Sequence, residues 1–404
     1  MKVKYFKTLL IASAFALALS GCSQSEPAMP KAAESSSSEA FSEYADVIAV
    51  ASESYYAINS ASRSANFVSS VRPWLKKDIL KDCESYSRSV DALPDTLLYI
   101  VNYSNEGGSV LVSDNEIFKG VLAVIDEGNI DPNEDIEVPG MRFYLESFCE
   151  ALKTNKINET TPLSEAEEYL PQTTVETSSS PKWVTTHVYS ASVNTKWGQG
   201  HPYNMYCFTP AGEKALAGCV PIAIAQLLTY YKHPNKIGSY DVQWKHLSFT
   251  HPSTYEQADN SAKYISEIGK YVHASYGETS TSVDSDSIPI FLKEHGFSVT
   301  ETGRFADLPG LQCIQEYGPF IVGGMNYMFS GHGWVVDGAQ VQRLTGVSKQ
   351  VLRFLFHCNW GWDGKYNGYF LTTAFDPYGD GENPNTDTNY QYGVRTFYFI
   401  KKNS

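Results

Sequence analysis

The chain lacks the short motifs that mark several common protein classes. Its 404 residues contain no Cys-x-x-Cys pair, no glycine-rich phosphate loop and no run of basic residues. The first absence removes support for a zinc or dithiol redox site. The other two, with a net charge of −14, argue against a protein that follows nucleic-acid phosphates. We therefore expect no cofactor, no metal and no nucleic-acid partner.

The N-terminus has the features of an export signal. Three lysines precede residues 9–19, which are apolar apart from one serine. This stretch is shorter than the about 20 residues of a transmembrane helix. It ends in Leu-Ser-Gly before Cys22, which resembles the lipobox of bacterial lipoproteins. We predict a signal peptide over residues 1–21 and a lipid on Cys22 that anchors the exported protein at the outer membrane or cell surface. A plain secretory signal is the alternative.

Composition divides the remaining chain into a tether and two halves. Residues 22–40 are rich in serine and poor in large apolar side chains, so we expect a flexible tether. The about 360 residues that follow suffice for two domains. Residues 171–182 form a Thr/Ser stretch with two prolines, and proteolysis concentrates in exposed segments of this kind. We call residues 41–170 the first half and residues 183–404 the second half.

The first half has the pattern of a small α+β unit. Helical spacing covers residues 44–68 and 139–152. Two β-rich runs, residues 97–103 and 109–113, flank an Asn-Glu-Gly-Gly turn and predict a hairpin. Residues 121–125 add a further strand. No catalytic constellation is visible in this half.

The second half places its helices before its strands. The helical patterns cover residues 219–231, 261–272 and 288–294. The strand-like runs come later, at residues 320–324, 332–336, 351–356 and 369–371. This order predicts an α+β fold class in which Cys219 lies on a helix and His332 on the sheet.

The candidate catalytic residues lie in the second half. Cys219 follows Gly218 at the start of an apolar helix, where unpaired N–H groups and the helix dipole favour a thiolate. His332 and Asn359 come later, in the order that suits a thiol nucleophile, its base and an orienting amide. Each has an ordinary alternative, as a buried thiol, a structural histidine or a turn residue. The three together favour a nucleophilic site.

Four blocks of the second half resemble streptopain and its relatives, a bacterial family of papain-fold cysteine peptidases. They are Gln-Gly-His-Pro-Tyr-Asn at 199–204, Gly-Cys-Val through Ala-Gln at 218–226, Gly-His-Gly-Trp-Val-Val-Asp-Gly at 331–338 and Asn-Trp-Gly-Trp-Asp-Gly at 359–364. Residues 98–113 also resemble the pro-domain of that family. The resemblance implies a papain-like catalytic domain, with N-terminal helices and a C-terminal antiparallel sheet, preceded by an α+β pro-domain.

The resemblance also implies a role for each candidate residue. Cys219 would attack the peptide carbonyl as a thiolate, and His332 would pair with it and protonate the leaving amine. Gln199 would donate its side-chain amide to the oxyanion beside the Cys219 N–H, each donor lowering the barrier by about 3 kcal/mol. Asn359 would orient His332, and Trp360 would shield that hydrogen bond from water.

These features together predict a zymogen of a cysteine endopeptidase. The first half would be the inhibitory pro-domain, and autocatalytic cleavage would fall between about Tyr169 and Lys182. The substrates would be unfolded or loop peptides, and the resemblance suggests an apolar side chain two residues before the cut. Two alternatives stay open: a papain-fold hydrolase of cell-wall peptides, and a non-catalytic surface binding module on a degenerate peptidase fold. The sequence also leaves open whether Cys207 and the other cysteines are thiols or form a disulfide.

Overall fold

The computed structural model of the protein describes residues 41–59, 66–79, 94–116, 118–154, 160–173, 180–303, 305–325, 331–375 and 395–401. The predicted signal peptide, the tether and Cys22 therefore lie outside the described residues, as do residues 174–179 of the predicted linker. Glu43–Ser404 forms one compact unit. Within the described ranges, no helix has both the length and the apolar character needed to cross a bilayer.

The described elements alternate between helices and strands in both halves. The helices are α1 (Ala45–Ile58), α2 (Lys76–Ile79), α3 (Pro139–Thr154), α4 (Leu163–Ala166), α5 (Cys219–Tyr231), α6 (Tyr255–Tyr271), α7 (Ser287–Glu294) and α8 (Asp307–Glu316). The strands before the predicted linker are β1 (Val68–Leu75), β2 (Thr96–Tyr103), β3 (Ser109–Ser113), β4 (Gly120–Ile125) and β5 (Thr161–Pro162). The later strands are β6 (Lys182–Tyr189), β7 (Lys236–Ile237), β8 (Tyr240–Asp241), β9 (Phe297–Thr302), β10 (Phe320–Met325), β11 (Gly331–Thr345), β12 (Val351–Asn359), β13 (Gly368–Leu371) and β14 (Arg395–Lys401).

Twelve of the described strands form one sheet that runs through both halves. Its order is β1-β2-β3-β4-β13-β12-β11-β10-β14-β9, with β5 paired to β12 and β6 paired to β11. The halves meet where β4 pairs antiparallel with β13, placing Val124 opposite Tyr369 and Ala123 opposite Phe370. Because backbone hydrogen bonds cross this junction, the first half shares a sheet with the strand that carries His332.

Helix α3 of the first half packs on the second half through aromatic side chains. The ring of Phe143 lies 6.1 Å from that of Trp334, and the ring of Tyr144 lies 4.9 Å from that of Phe370. All four side chains are buried. Burial of such large apolar side chains stabilises the contact by about 1.5–3 kcal/mol for each aromatic removed from water.

Helix α5 begins at Cys219 because of the residue before it. Gly218 has φ +92°, a conformation that favours glycine, and a Cβ there would lie 2.8 Å from Cγ2 of Thr281. Pro221 fits the first turn, since the N–H it lacks would have no helical partner there. Every residue from Pro221 to Thr229 is buried, and the helix packs against β11 and α6. The position of Cys219 is therefore fixed by the core.

The α+β arrangement and most predicted elements are confirmed. The hairpin is β2–β3, and α3, α5, α6 and α7 cover four of the predicted helices. The helix expected over residues 44–68 is wrong in its second part, because α1 ends at Ile58 and Val68 already begins β1. Small Ala and Ser residues continue the helical spacing beyond Ile58, but pairing of β1 with β2 decides the strand. Among the cysteines that the structure describes, Cys207, Cys219 and Cys358 are free thiols.

Candidate active site

Cys219 lies at the N-terminus of α5 with backbone N–H groups directed at its sulfur. The Gly333 N–H donates to Cys219 Sγ at 3.4 Å, and the N–H groups of Val220 and Cys219 also interact with it. The side chain keeps partial solvent exposure but is densely surrounded by protein. This burial raises the pKa of the Cys219 thiol, and the three N–H groups offset only part of the increase. The residue is therefore a neutral thiol at pH 7 in this conformation.

His332, at the start of β11, is buried with one ring nitrogen hydrogen bonded. Its Nε2 lies 2.8 Å from the carbonyl oxygen of Trp360. Burial lowers the pKa of His332 to about 4, although the Trp360 carbonyl acts in the opposite direction. The ring is thus neutral at pH 7. Because a carbonyl only accepts, Nε2 carries the hydrogen and Nδ1 carries the free lone pair that a base requires.

The strand of His332 contacts the first turn of the nucleophile helix. Gly333 supplies the N–H on Cys219 Sγ, and a Cβ at Gly333 would lie 3.1 Å from Cγ2 of Val220. The backbone beside the histidine is therefore in contact with the thiol. Among the described residues, however, no hydrogen bond joins Cys219 Sγ to the His332 ring. The candidate base is next to the candidate nucleophile, but the two are not paired in this conformation.

Asn359 makes different contacts from those expected. The Asn359 side chain does not contact His332; its Nδ2 donates to the Thr195 carbonyl at 2.7 Å and its Oδ1 accepts from Gln226 Nε2 at 3.2 Å. The backbone carbonyl of the next residue, Trp360, takes the place beside the histidine. The expectation that Asn359 orients His332 is therefore corrected: its amide is engaged below the site.

The Trp360 side chain is fully buried between the two halves. Its Nε1 donates to the Tyr366 carbonyl at 2.8 Å, and its ring lies 5.2 Å from that of Trp334. A Cβ on Gly140 of α3 would come within 2.1 Å of Trp360 Cε3, so that helix approaches the ring as closely as only glycine permits. The indole thus lies between α3 and the Trp334 ring of β11.

Gln199 lies in a loop that is bonded to the segment before the nucleophile. Its backbone carbonyl accepts from the Ala217 N–H at 2.9 Å, and the residue is 7 % exposed. The Gln199 side-chain amide has no hydrogen-bond partner among the described residues. An unengaged donor next to the nucleophile helix has the property required of an oxyanion donor.

Sequence reasoning missed the importance of Gln226. This fully buried glutamine on α5 accepts from the Trp197 N–H at 2.9 Å and contacts Asn359. Its signal is present in the sequence as a lone amide in an otherwise apolar helix, seven residues after Cys219. That spacing is close to two helical turns, so both residues lie on one face.

The chain is similar to known cysteine peptidases. Residues 197–370 match the profile of the Peptidase C10 family. Streptopain of Streptococcus pyogenes is 26 % identical over 329 residues, which cover 69 % of this chain and 75 % of streptopain. The thiol protease/hemagglutinin PrtT of Porphyromonas gingivalis is 23 % identical over 316 residues, or 70 % of this chain and 34 % of that protein. A prointerpain A fragment of Prevotella intermedia has a similar fold, with a TM-score of 0.54 at 18 % identity over 77 % of this chain and 98 % of the fragment.

A cysteine on a buried helix, a histidine on an antiparallel sheet and these similarities define the class: the protein is a papain-like cysteine peptidase with an α+β fold. Its residues 197–370 match the Peptidase C10 family, and the chain is similar to streptopain and to PrtT over 69 % and 70 % of its length.

Proposed function

We propose that Cys219 and His332 are the catalytic pair of an endopeptidase. His332 Nδ1 takes the proton of the thiol, and the thiolate attacks the peptide carbonyl. A thioester to Cys219 forms as the C–N bond breaks, and His332 gives the proton to the leaving amine. Water then hydrolyses the thioester and restores the thiol. The observation that carries this assignment is the hydrogen bond from the Gly333 N–H to Cys219 Sγ, since it holds the histidine's strand against the nucleophile.

Two further residues support this chemistry in the proposal. The Gln199 side-chain amide and the Cys219 N–H stabilise the oxyanion, each lowering the barrier by about 3 kcal/mol. The Trp360 carbonyl accepts from His332 Nε2 and keeps the lone pair on Nδ1. Asn359 is not assigned a direct contact with the histidine.

We also propose that the first half, residues 41–170, is a pro-domain that holds the peptidase inactive. The described conformation has a neutral thiol and a neutral imidazole, with α3 packed on Trp360. Acidic side chains of the first half also pair with basic side chains of the second. These ion pairs are Asp126–His357 at 2.9 Å, Glu127–Lys196 at 2.8 Å and Glu137–Lys365 at 3.2 Å. Similarity of fold to a fragment named as the pro-form of interpain A supports the same reading.

Activation would follow cleavage between about Tyr169 and Lys182. Gln315 Nε2 donates to the Tyr169 carbonyl at 2.8 Å, and Thr173 Oγ1 lies 2.9 Å from His187 Nε2. These contacts hold Tyr169 and Thr173, at the start of the predicted linker, on the second half.

The maturation of purified protein tests this proposal. Wild-type chain should shorten to a form that starts between about residues 170 and 182, should cleave casein and should react with an epoxide thiol inhibitor. Cys219→Ala should do none of these, whereas Cys207→Ser, which alters another free thiol, should mature normally. Self-processing is refuted if Cys219→Ala matures without another protease. Absence of both labelling and casein cleavage in the wild type would favour a binding module, and cleavage of cell-wall peptides in place of casein would favour the wall hydrolase.

The proposed location is the outer membrane or cell surface, through a lipid on Cys22 after removal of residues 1–21. The lipobox-like Leu-Ser-Gly-Cys and the serine-rich tether support it. Cells given labelled palmitate should incorporate it into the wild type but not into Cys22→Ala, which should leave the membrane fraction. The proposed substrates are unfolded or loop peptides with an apolar side chain two residues before the cut, which a peptide library would test.

A further inference from the structure

Gln226 and Asn359 form a buried pair of amides beneath the candidate active site. Gln226 Nε2 donates to Asn359 Oδ1 at 3.2 Å, and Asn359 Nδ2 lies 3.4 Å from Gln226 Oε1. Both side chains are almost completely inaccessible, at 0 % and 1 % exposure. A buried amide is costly unless its donors and acceptors are satisfied, so such a pair persists only where its partners are fixed.

The backbone around the pair determines the orientation of each amide. The Trp197 N–H donates at 2.9 Å to the oxygen of Gln226, which must therefore be Oε1. The Thr195 carbonyl accepts at 2.7 Å from the nitrogen of Asn359, which must therefore be Nδ2. The Gly361 N–H adds a third contact by donating to Asn359 Oδ1 at 3.3 Å. With both ends assigned, the two amides can meet only in the reciprocal arrangement observed.

These contacts join the three parts of the site. Gln226 lies on α5, two turns below Cys219. Through Trp197 it holds the loop that leads to Gln199. Through Asn359 it holds the loop that carries the Trp360 carbonyl on His332.

We infer that the Gln226–Asn359 amide pair is a positioning clamp that sets the nucleophile helix, the oxyanion loop and the histidine-orienting carbonyl at fixed distances from one another. The inference rests on the proposed catalytic roles of Cys219, His332 and Gln199. Neither amide contacts Cys219 Sγ or the His332 ring, so neither is a catalytic residue. The clamp explains why an asparagine directly precedes Trp360 although its side chain does not reach the histidine.

The substitution Gln226→Glu tests the clamp through the protonation state of the introduced carboxyl group. When protonated, that group keeps an acceptor for the Trp197 N–H and a donor for Asn359 Oδ1, as the glutamine amide does. When ionised, it has no donor and repels Asn359 Oδ1. Burial raises the pKa of such a carboxyl group. The activity of Gln226→Glu relative to wild type should therefore fall as the pH rises from 5 to 8.

The measurement is kcat per active site in the matured enzyme, with sites counted by the epoxide inhibitor. Variants that do not mature alone are processed by a trace of tagged wild-type enzyme, which is then removed. For Gln226→Met we expect a loss of about 10-fold to 100-fold in kcat at every pH, because misplacement of about 1 Å has effects of this size. For Gln226→Glu we expect a comparable loss at pH 8 that recovers toward pH 5. Asn359→Asp provides a second variant from the other side of the pair and should lose kcat in the same range.

Thr229→Val is the matched control on the same helix. The Thr229 hydroxyl is buried and donates to the Gln226 carbonyl at 2.6 Å, but it contacts neither loop. This variant should lower the melting temperature without changing kcat per titrated site. A purely structural role for Gln226 predicts the same behaviour for its variants: fewer active sites with unchanged kcat and no change in pH profile. That result in Gln226→Glu and Asn359→Asp overturns the clamp, whereas a wild type that neither labels nor cleaves overturns the proposed catalytic function instead.

Discussion

The ion pair between Asp126 and His357 allows a direct test of how the first half is held. His357, on β12, is buried with Nδ1 bonded to Asp337 and Nε2 lying 2.9 Å from Asp126 Oδ2. Burial lowers the pKa of His357, but the charges of Asp337 and then Asp126 outweigh it and raise that pKa to about 10. Asp126 is the partner that belongs to the first half. Asp126→Asn should therefore weaken the junction between the halves.

The size of the effect follows from the pKa of His357. A pKa of about 10 in place of 6.5 corresponds to about 5 kcal/mol, which is what the two carboxylates contribute after the opposing effect of burial is subtracted. The Asp126 side chain is 28 % exposed, so solvent screens its share. We expect Asp126→Asn to lower the free energy of unfolding by about 2 kcal/mol near pH 6. Because the pKa is raised on folding, this stabilisation is complete below pH 6.5 and is lost as the pH rises through about 10.

Urea unfolding of the full chain measures this difference, with Cys219→Ala as the background so that no processing occurs. Unfolding at pH 6 and at pH 10 should show a large difference between Asp126→Asn and its parent at the lower pH and a smaller one at the higher. Glu116→Gln is the control, since Glu116 faces Lys119 in an exposed pair within the first half. Equal stabilities at pH 6, or a difference that does not change with pH, would refute the reasoning.

Three other perturbations probe the same structure. Gly140→Ala should destabilise the uncleaved chain by about 1–3 kcal/mol and speed epoxide labelling, because a Cβ would lie 2.1 Å from Trp360 Cε3; a higher melting temperature, as helix propensity alone predicts, would contradict this. Burial lowers the pKa of His332 to about 4, so its contribution to stability is complete only above pH 6.5. The free energy of unfolding of the Cys219→Ala chain should therefore fall by about 3 kcal/mol as the pH falls from 6.5 toward 4. His332→Gln should reduce the dependence of the unfolding free energy on pH, as measured by urea unfolding. An unchanged pH dependence would show that other groups cause it. Arg353→Met should lower the unfolding free energy by about 1–3 kcal/mol, because the guanidinium donates across the halves to the Lys119 carbonyl; an unchanged urea midpoint would show that apolar packing compensates.

The candidate site is predictable from the sequence in its residues but not in all of its contacts. Gly218 and Pro221 identify the start of α5 from local conformational preferences, and the observed helix begins at Cys219 as predicted. The sequence predicts that the side chain of Asn359 accepts a hydrogen bond from His332. In the structure the acceptor is instead the backbone carbonyl of Trp360, one residue later. The order of residue types cannot distinguish a side chain from a neighbouring backbone group, because both lie on the same loop.

Long-range strand pairing is the part of the fold that local patterns do not supply. The sequence predicts a helix up to the start of β1, since small residues continue the helical spacing there. Helix α8 is absent from the predicted elements, because Pro309 and Gly310 interrupt its helical pattern. In the structure Gly310 packs so closely on the Phe356 ring that a Cβ would lie 3.0 Å from it, a long-range contact that the local sequence does not show.

The sequence by itself determined the candidate nucleophile, its candidate base and their order along the chain. Local conformational preferences are enough to place the start of a helix at Cys219, and the glycines on both sides of His332 are visible in the sequence. Only the tertiary structure decided their state. The single sheet through β4 and β13 brings the first half against Trp360, and burial makes both the thiol and the imidazole neutral. Protonation depends on solvent access and on groups distant in sequence, and both arise only when the chain is folded.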